Sequence, residues 1–185
     1  KPDIAAKMVV SYLRGLWNSG ITGCIKHFPG HGDTKNDTHT GYAASNKTWA
    51  EMLDCEMITF KAGIAAGTEM IMTAHIAAPA VTGSDIPSTM SSVILQDKLR
   101  GELGYKGIIV TDALEMGAIT QKYTPAEAAI ETIKAGVDIV LLPMDYKQVV
   151  DGIIEAVEKG EISEKRIDES VRRILLLKLK KGLLK

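Results

Sequence analysis

Cysteine is scarce in this chain, with only Cys24 and Cys55 among 185 residues. That scarcity excludes a disulfide scaffold or a cysteine-built zinc site. Both thiols sit in apolar surroundings, one in a predicted strand and one in a predicted helix. Both are therefore expected to be buried, a usage that fits a reducing compartment. An excess of one charge is also missing. Lys and Arg number 22 against 23 Asp and Glu, for a formal net charge of −1. With no basic stripe along any predicted helix, nucleic acid is not an expected partner. No apolar run reaches the roughly 18 residues that span a bilayer, so no membrane segment is expected. Internal repeats beyond a strand–helix alternation, low-complexity tracts and an obvious interdomain linker are lacking too. What is present, 45% hydrophobic and 24% charged, is enough to bury a sizeable core.

The chain opens at Lys1 with no initiator Met or signal peptide and enters a helix at once. Pro2 suits its first turn, and Ile4, Ala5, Met8, Val9, Tyr12, Leu13 and Leu16 recur along one face. This reads as an internal element, which makes a longer parent protein the expectation. Strands are predicted over 21–28, 70–75, 107–111 and 137–142. Between and after them come helices from a Thr48–Glu51 capping box to Gly67, from Ser91 or Ser92 to Leu103, and from Thr124-Pro125 to Gly136. Two more cover 146–159 and 163–181, whose Lys- and Glu-rich surface reads as a solvated face. Short apolar strands alternating with helices predict an α/β fold with parallel strands covered on both faces. Every polar signal closes a strand: Lys26 and His27, His75, and Asp112. Such clustering at one end suits a (β/α) barrel, although an open doubly wound sheet follows a similar rule.

The densest chemistry lies in Lys26-His27-Phe28-Pro29-Gly30-His31-Gly32-Asp33-Thr34, followed by Asp37-Thr38-His39. Titratable groups crowded on an irregular loop after a buried strand point to a site rather than to solubility. Asp37 and His39, two apart, share a face of an extended stretch, where the carboxylate would orient the imidazole as in a catalytic dyad. Asp112 follows four apolar residues and a Thr, and a carboxylate there is costly to desolvate without a partner or a task. The task would be that of nucleophile or electrostatic stabiliser; the plainer reading is a cap on the following turn. His27, His31 and His39, with Asp33 or Asp37, could instead bind metal. Pro29 and Gly30 break the spacing a fixed ligand geometry needs, so no metal is expected. Gly30 and Gly32 complete neither a Walker loop nor a dinucleotide fingerprint. Met116, after Glu115, reads either as a pocket wall or as loop packing, and His75 as pocket lining if the barrel reading holds or otherwise as a satisfied, half-buried histidine.

These segments resemble glycoside hydrolase family 3, in its bacterial β-N-acetylglucosaminidase branch. The motif from Lys26 to His39 is similar to the family signature. So are Met72-Thr73-Ala74-His75, Pro87-Ser88-Thr89-Met90-Ser91, Leu103-Gly104-Tyr105-Lys106-Gly107 and Thr111-Asp112-Ala113-Leu114-Glu115-Met116, in order and spacing, so that the likeness covers about residues 2–182. The resemblance implies a TIM-barrel catalytic domain and retaining hydrolysis of terminal β-linked N-acetylglucosamine from cell-wall or chitin-type saccharides. It implies that Asp112 is the nucleophile, that His39 is the general acid/base oriented by Asp37, and that Lys26 and His27 hold sugar hydroxyls. No cofactor is implied. Imidazole titrates near neutrality, so this acid/base assignment needs no extreme pKa shift.

Two departures stand out. Ala113 replaces a second acidic residue next to the nucleophile, and the residues match only the second half of the family barrel. Residues 1–185 are thus expected as the carboxyl-terminal half of a catalytic domain, inactive alone. Four strands of eight leave edges and inner faces open, so self-association or packing against the missing half is expected. A phosphorylase and a non-enzymatic sugar-binding half-barrel are the alternatives.

Overall fold

The computed structural model describes residues 1–32, 34 and 37–184. Four parallel strands make one sheet in the order β1-β2-β3-β4: β1 Cys24–Phe28, β2 Met70–Thr73, β3 Ile108–Ala113 and β4 Ile139–Leu141. Each strand lies beside its predecessor, and helices carry the chain between them. These are α2 Trp49–Leu53 and α3 Glu56–Ala66 after β1, and α4 Pro79–Thr82 with a π-wound helix Val93–Glu102 after β2. After β3 come α5 Gly117–Thr120 and α6 Pro125–Ala135. Helix α1 Pro2–Asn18 precedes the sheet, while α7 Tyr146–Glu158 and α8 Glu164–Lys180 follow it. Parallel neighbours in sequence order, linked by helices, are successive units of a β/α barrel.

Strand alternation builds the core. Ile25, Ile71 and Ile109 stand in register, all buried, and meet Leu13, Phe60, Leu95 and Leu99 on the helix side. The adjacent row, Cys24, Met70 and Ile108, faces the other way. Helix starts follow the sequence: Thr48 with Glu51 and Thr124 with Glu127 each form a full capping box.

Several expectations are corrected. The helix predicted to run from 48 breaks at Asp54 and Cys55 into α2 and α3. Both thiols are exposed rather than buried. Cys55 sits in that break, at φ −135° and ψ −82°, and Cys24 lies on the outer strand, on the face away from the helices. The strand predicted to reach His75 stops at Thr73, and Pro79 starts a short helix that was not among those predicted. In α1, Leu13 is buried but Ile4, Met8 and Tyr12 are exposed, because α3, against which α1 packs, covers only part of the apolar stripe. Among the described residues, no helix is long and apolar enough to cross a membrane.

Candidate active site

Two irregularities in the ladder fall where the polar residues are. Pairing of β1 with β2 slips between Ile25 and Phe28, the stretch that holds Lys26 and His27. Both the Lys26–His27 and Phe28–Pro29 peptides are cis. Pairing of β3 with β4 slips between Val110 and Ala113, across Thr111 and Asp112. There the Thr111 hydroxyl accepts from Leu141 N at 2.9 Å. Bulges of this kind re-aim side chains, and here they bring two strand ends together. His27 Nε2 lies 3.4 Å from Asp112 Oδ2, with both side chains largely buried.

Burial pushes the His27 pKa below its ordinary value, against the opposing pull of Asp112. His27 is therefore neutral at neutral pH, and its contact with Asp112 is not an ion pair. Asp112 Oδ1 accepts only locally, from Ala113 N at 2.9 Å. Its turn-capping and its place at a strand end thus coexist on one carboxylate. His75 is 2% exposed, and its Nε2 lies 3.0 Å from the carbonyl of Ala113. A carbonyl can only accept, so Nε2 carries the proton and Nδ1 is bare. Among the described residues Nδ1 finds no partner. Burial lowers this pKa as well. Met116 is buried, while Glu115 is exposed.

The loop after β1 is built by glycine and threonine. Gly30 has φ +130°, and a Cβ there would lie 2.5 Å from Glu56 Cγ, so only glycine fits. His31 is committed on both nitrogens, Nδ1 to Thr34 Oγ1 at 2.6 Å and Nε2 to Thr38 Oγ1 at 3.0 Å. It meets the His27 ring edge-on with centroids 6.2 Å apart. That engagement leaves His31 no nitrogen for a metal. Among the described residues no three His, Cys, Asp or Glu side chains group as a metal site; Asp33, named above as a possible ligand, lies outside them.

Asp37 and His39 do meet, but in a turn rather than in an extended stretch. Asp37 Oδ1 accepts from His39 N at 2.9 Å and lies 2.7 Å from His39 Nδ1, while Asp37 O accepts from Thr40 N. These bonds, the backbone one foremost, hold the Asp37 pKa below the usual carboxylate range, so it stays ionised. An ionised acceptor at Nδ1 fixes the proton there and leaves Nε2 for exchange. The His39 side chain is 74% exposed. Lys26 is exposed on the face it shares with Cys24. The sheet thus gathers Lys26, His27, His75 and Asp112 at its carboxyl end, where a β/α barrel keeps its site.

The family model for the glycosyl hydrolase family 3 N-terminal domain matches residues 1–177. The chain belongs to glycosyl hydrolase family 3. That domain is a TIM-barrel-type fold, of which this chain covers part, so the open-sheet alternative falls. Beta-hexosaminidase A of Pseudoalteromonas piscicida is 35% identical over 97% of this chain and 33% of its own length. The chain thus spans about a third of that relative. A family 3 beta-N-acetylglucosaminidase structure from Paenibacillus sp. strain FPU-7 superposes with a TM-score of 0.91 at 40% identity, over 94% of this chain and 34% of that one. A beta-glucoside phosphorylase, BglX, superposes with a TM-score of 0.94 at 31% identity, over 99% and 35%.

Sequence reading missed Thr38, Thr111, Gly117 and Gln121, none of which carries a titratable group. Thr38 is 2% exposed beside exposed Asp37 and His39. Its hydroxyl meets His31 and its carbonyl accepts from Ala118 N, so it pins the histidine loop from both sides.

Proposed function

We propose that the protein carrying this chain removes terminal β-linked N-acetylglucosamine with retention, and that residues 1–185 form the second half of its catalytic barrel. The observation that carries this reading is the pair of unlike groups at one end of the sheet. Asp112 is a carboxylate with spare acceptor capacity at a bulged strand end, and the loop after β1 holds His39 hydrogen-bonded to ionised Asp37. In the first step the Asp112 carboxylate attacks the anomeric carbon. The bond to the aglycone oxygen breaks, and His39 gives that oxygen its Nε2 proton. In the second step His39 takes a proton from water, whose oxygen attacks the same carbon and releases Asp112. Asp37 orients the ring and stabilises the imidazolium. Lys26 and neutral His27 bind sugar hydroxyls beside the nucleophile. Names among the relatives, beta-hexosaminidase and beta-N-acetylglucosaminidase, support the sugar.

Trapping with a fluorinated N-acetylglucosaminide, followed by peptide mapping, tests the nucleophile. Label is expected on Asp112, and label elsewhere removes it from that role. A second reading has its own support in the phosphorylase neighbour: a histidine acid/base adds no fixed negative charge to repel phosphate. Turnover with and without inorganic phosphate separates the two. Free sugar in both conditions is expected, whereas sugar phosphate in the second would identify a phosphorylase.

A further inference from the structure

We infer that Gly117 and Gln121, on the turn of helix that follows the nucleophile strand, are positioning residues for the acid/base histidine. The inference rests on the assignment of His39 above. Gly117 stands five positions after Asp112 (112 to 117). Its N–H donates to the carbonyl of His39 at 3.2 Å, and Ala118 N donates to the carbonyl of Thr38 at 3.1 Å. One turn on, Gln121 Nε2 donates to the carbonyl of Thr40 at 3.0 Å. Three successive carbonyls of the histidine loop are thus held by the segment that leaves Asp112. The His39 side chain is otherwise exposed, and its only side-chain partner among the described residues is Asp37 on the same loop. Nothing on that loop alone relates His39 to the nucleophile; α5 does.

The fit is close enough to demand glycine. A Cβ on Gly117 would lie 2.8 Å from His39 O, 3.1 Å from Thr40 C and 3.2 Å from Thr40 O. All three are backbone atoms that cannot swing aside. Gly117 has no positive φ, so alanine suits its own backbone, and the clash falls on the histidine loop alone. A displaced acid costs rate in proportion to how much the leaving group needs a proton.

The test is made in the full-length protein by comparing kcat/KM on a dinitrophenyl N-acetylglucosaminide, whose leaving group needs no proton, with kcat/KM on an unactivated N-acetylglucosamine disaccharide. For Gly117→Ala the disaccharide value is expected to fall about 10- to 100-fold, below the 10²–10⁴ range for loss of a general acid. The dinitrophenyl kcat/KM should change less than about threefold, whereas its kcat should fall because hydrolysis of the glycosyl-enzyme still needs the base, and added azide should restore that kcat. Gln121→Ala, which only deletes one hydrogen bond, should show the same selectivity at smaller size and stands in should Gly117→Ala not fold. His39→Ala separates the two levels of argument. Selective loss in His39→Ala with equal losses on both substrates in the Gly117 and Gln121 variants overturns the positioning role alone. Equal losses in His39→Ala overturn the acid/base reading and this inference together.

Discussion

Asp138, just ahead of β4, and Asp112, near the carboxyl end of β3, lie on neighbouring strands at opposite ends of the sheet. Asp138 is wholly buried. Its Oδ2 accepts from Arg100 Nη2 at 2.7 Å and from Ile109 N at 2.9 Å. Its Oδ1 accepts from Ser170 Oγ at 2.7 Å and Arg173 Nη1 at 2.8 Å, with Arg166 Nη2 3.9 Å away. Arg166 in turn donates to the carbonyls of Ile133 and Val137 and to Ser170 Oγ. The network ties β3, β4, α8 and the π-wound helix together. Glu69 works similarly at that end, accepting from Trp17 Nε1 and Gly23 N and pairing with Lys181. Burial works against its charge, but those partners outweigh it and lower its pKa. A carboxylate accepts at about four positions. Asp138 uses its capacity on the protein, and Asp112 keeps most of its own. On the proposed reading the same side chain is a rivet at one end and a reagent at the other, and the number of occupied acceptor sites is what separates them.

One substitution made at both ends breaks the comparison if it is wrong. Asp112→Asn should lower turnover by about 10⁴-fold or more, as loss of a nucleophile does, while unfolding free energy stays within about 0.5 kcal/mol. Asp138→Asn should do the reverse. It removes the buried charge that Arg100 and Arg173 pair with directly and should cost about 3–5 kcal/mol in denaturant unfolding, with turnover per folded molecule unchanged. A stable Asp138 variant, or an Asp112 variant that unfolds, would erase the distinction.

The smallest effect is in pH. His27 and His75, both at the carboxyl end, have pKa values lowered by burial. Their neutral forms are favoured in the folded state, so below the ordinary value of 6.5 the unfolded chain binds more protons. Their contribution is present above that pH and fades as pH falls through the lowered values. The arginine end stays charged throughout this window. Urea midpoints from neutrality down to about pH 5 should fall, and His75→Gln should flatten that slope. An unchanged slope would take His75 out of the account.

Legibility followed the type of signal. Periodicity and capping residues marked all four strands and most helices, because a strand buried on its helix side must be apolar and a helix start needs its orphan N–H groups met. The break at Asp54 was illegible, since the residues around it suit a helix. Both cysteines misled: apolar neighbours in sequence do not say which face of a strand is covered, which exposes Cys24, and the unforeseen helix break exposes Cys55. Asp37 and His39 were paired correctly for a wrong reason: they meet through a turn that closes on one carboxylate oxygen. Asp138 passed unnoticed, as an acid entering a strand has no local mark of the arginines that reach it from residues 100, 166 and 173.

By itself the sequence determined the α/β alternation, the family through its long motif, and the list of groups with chemistry to offer, because these depend on residue type and near-neighbour spacing. Only the tertiary structure decided how those groups are used. It set His27 against Asp112 through two ladder slips, committed His31 to threonines, enclosed His75 and Asp138, and laid the His39 loop on Gly117. Apart from the local bonds of His31, each of those outcomes depends on atoms far apart in the chain coming within a few ångströms, the range over which desolvation and hydrogen bonding act.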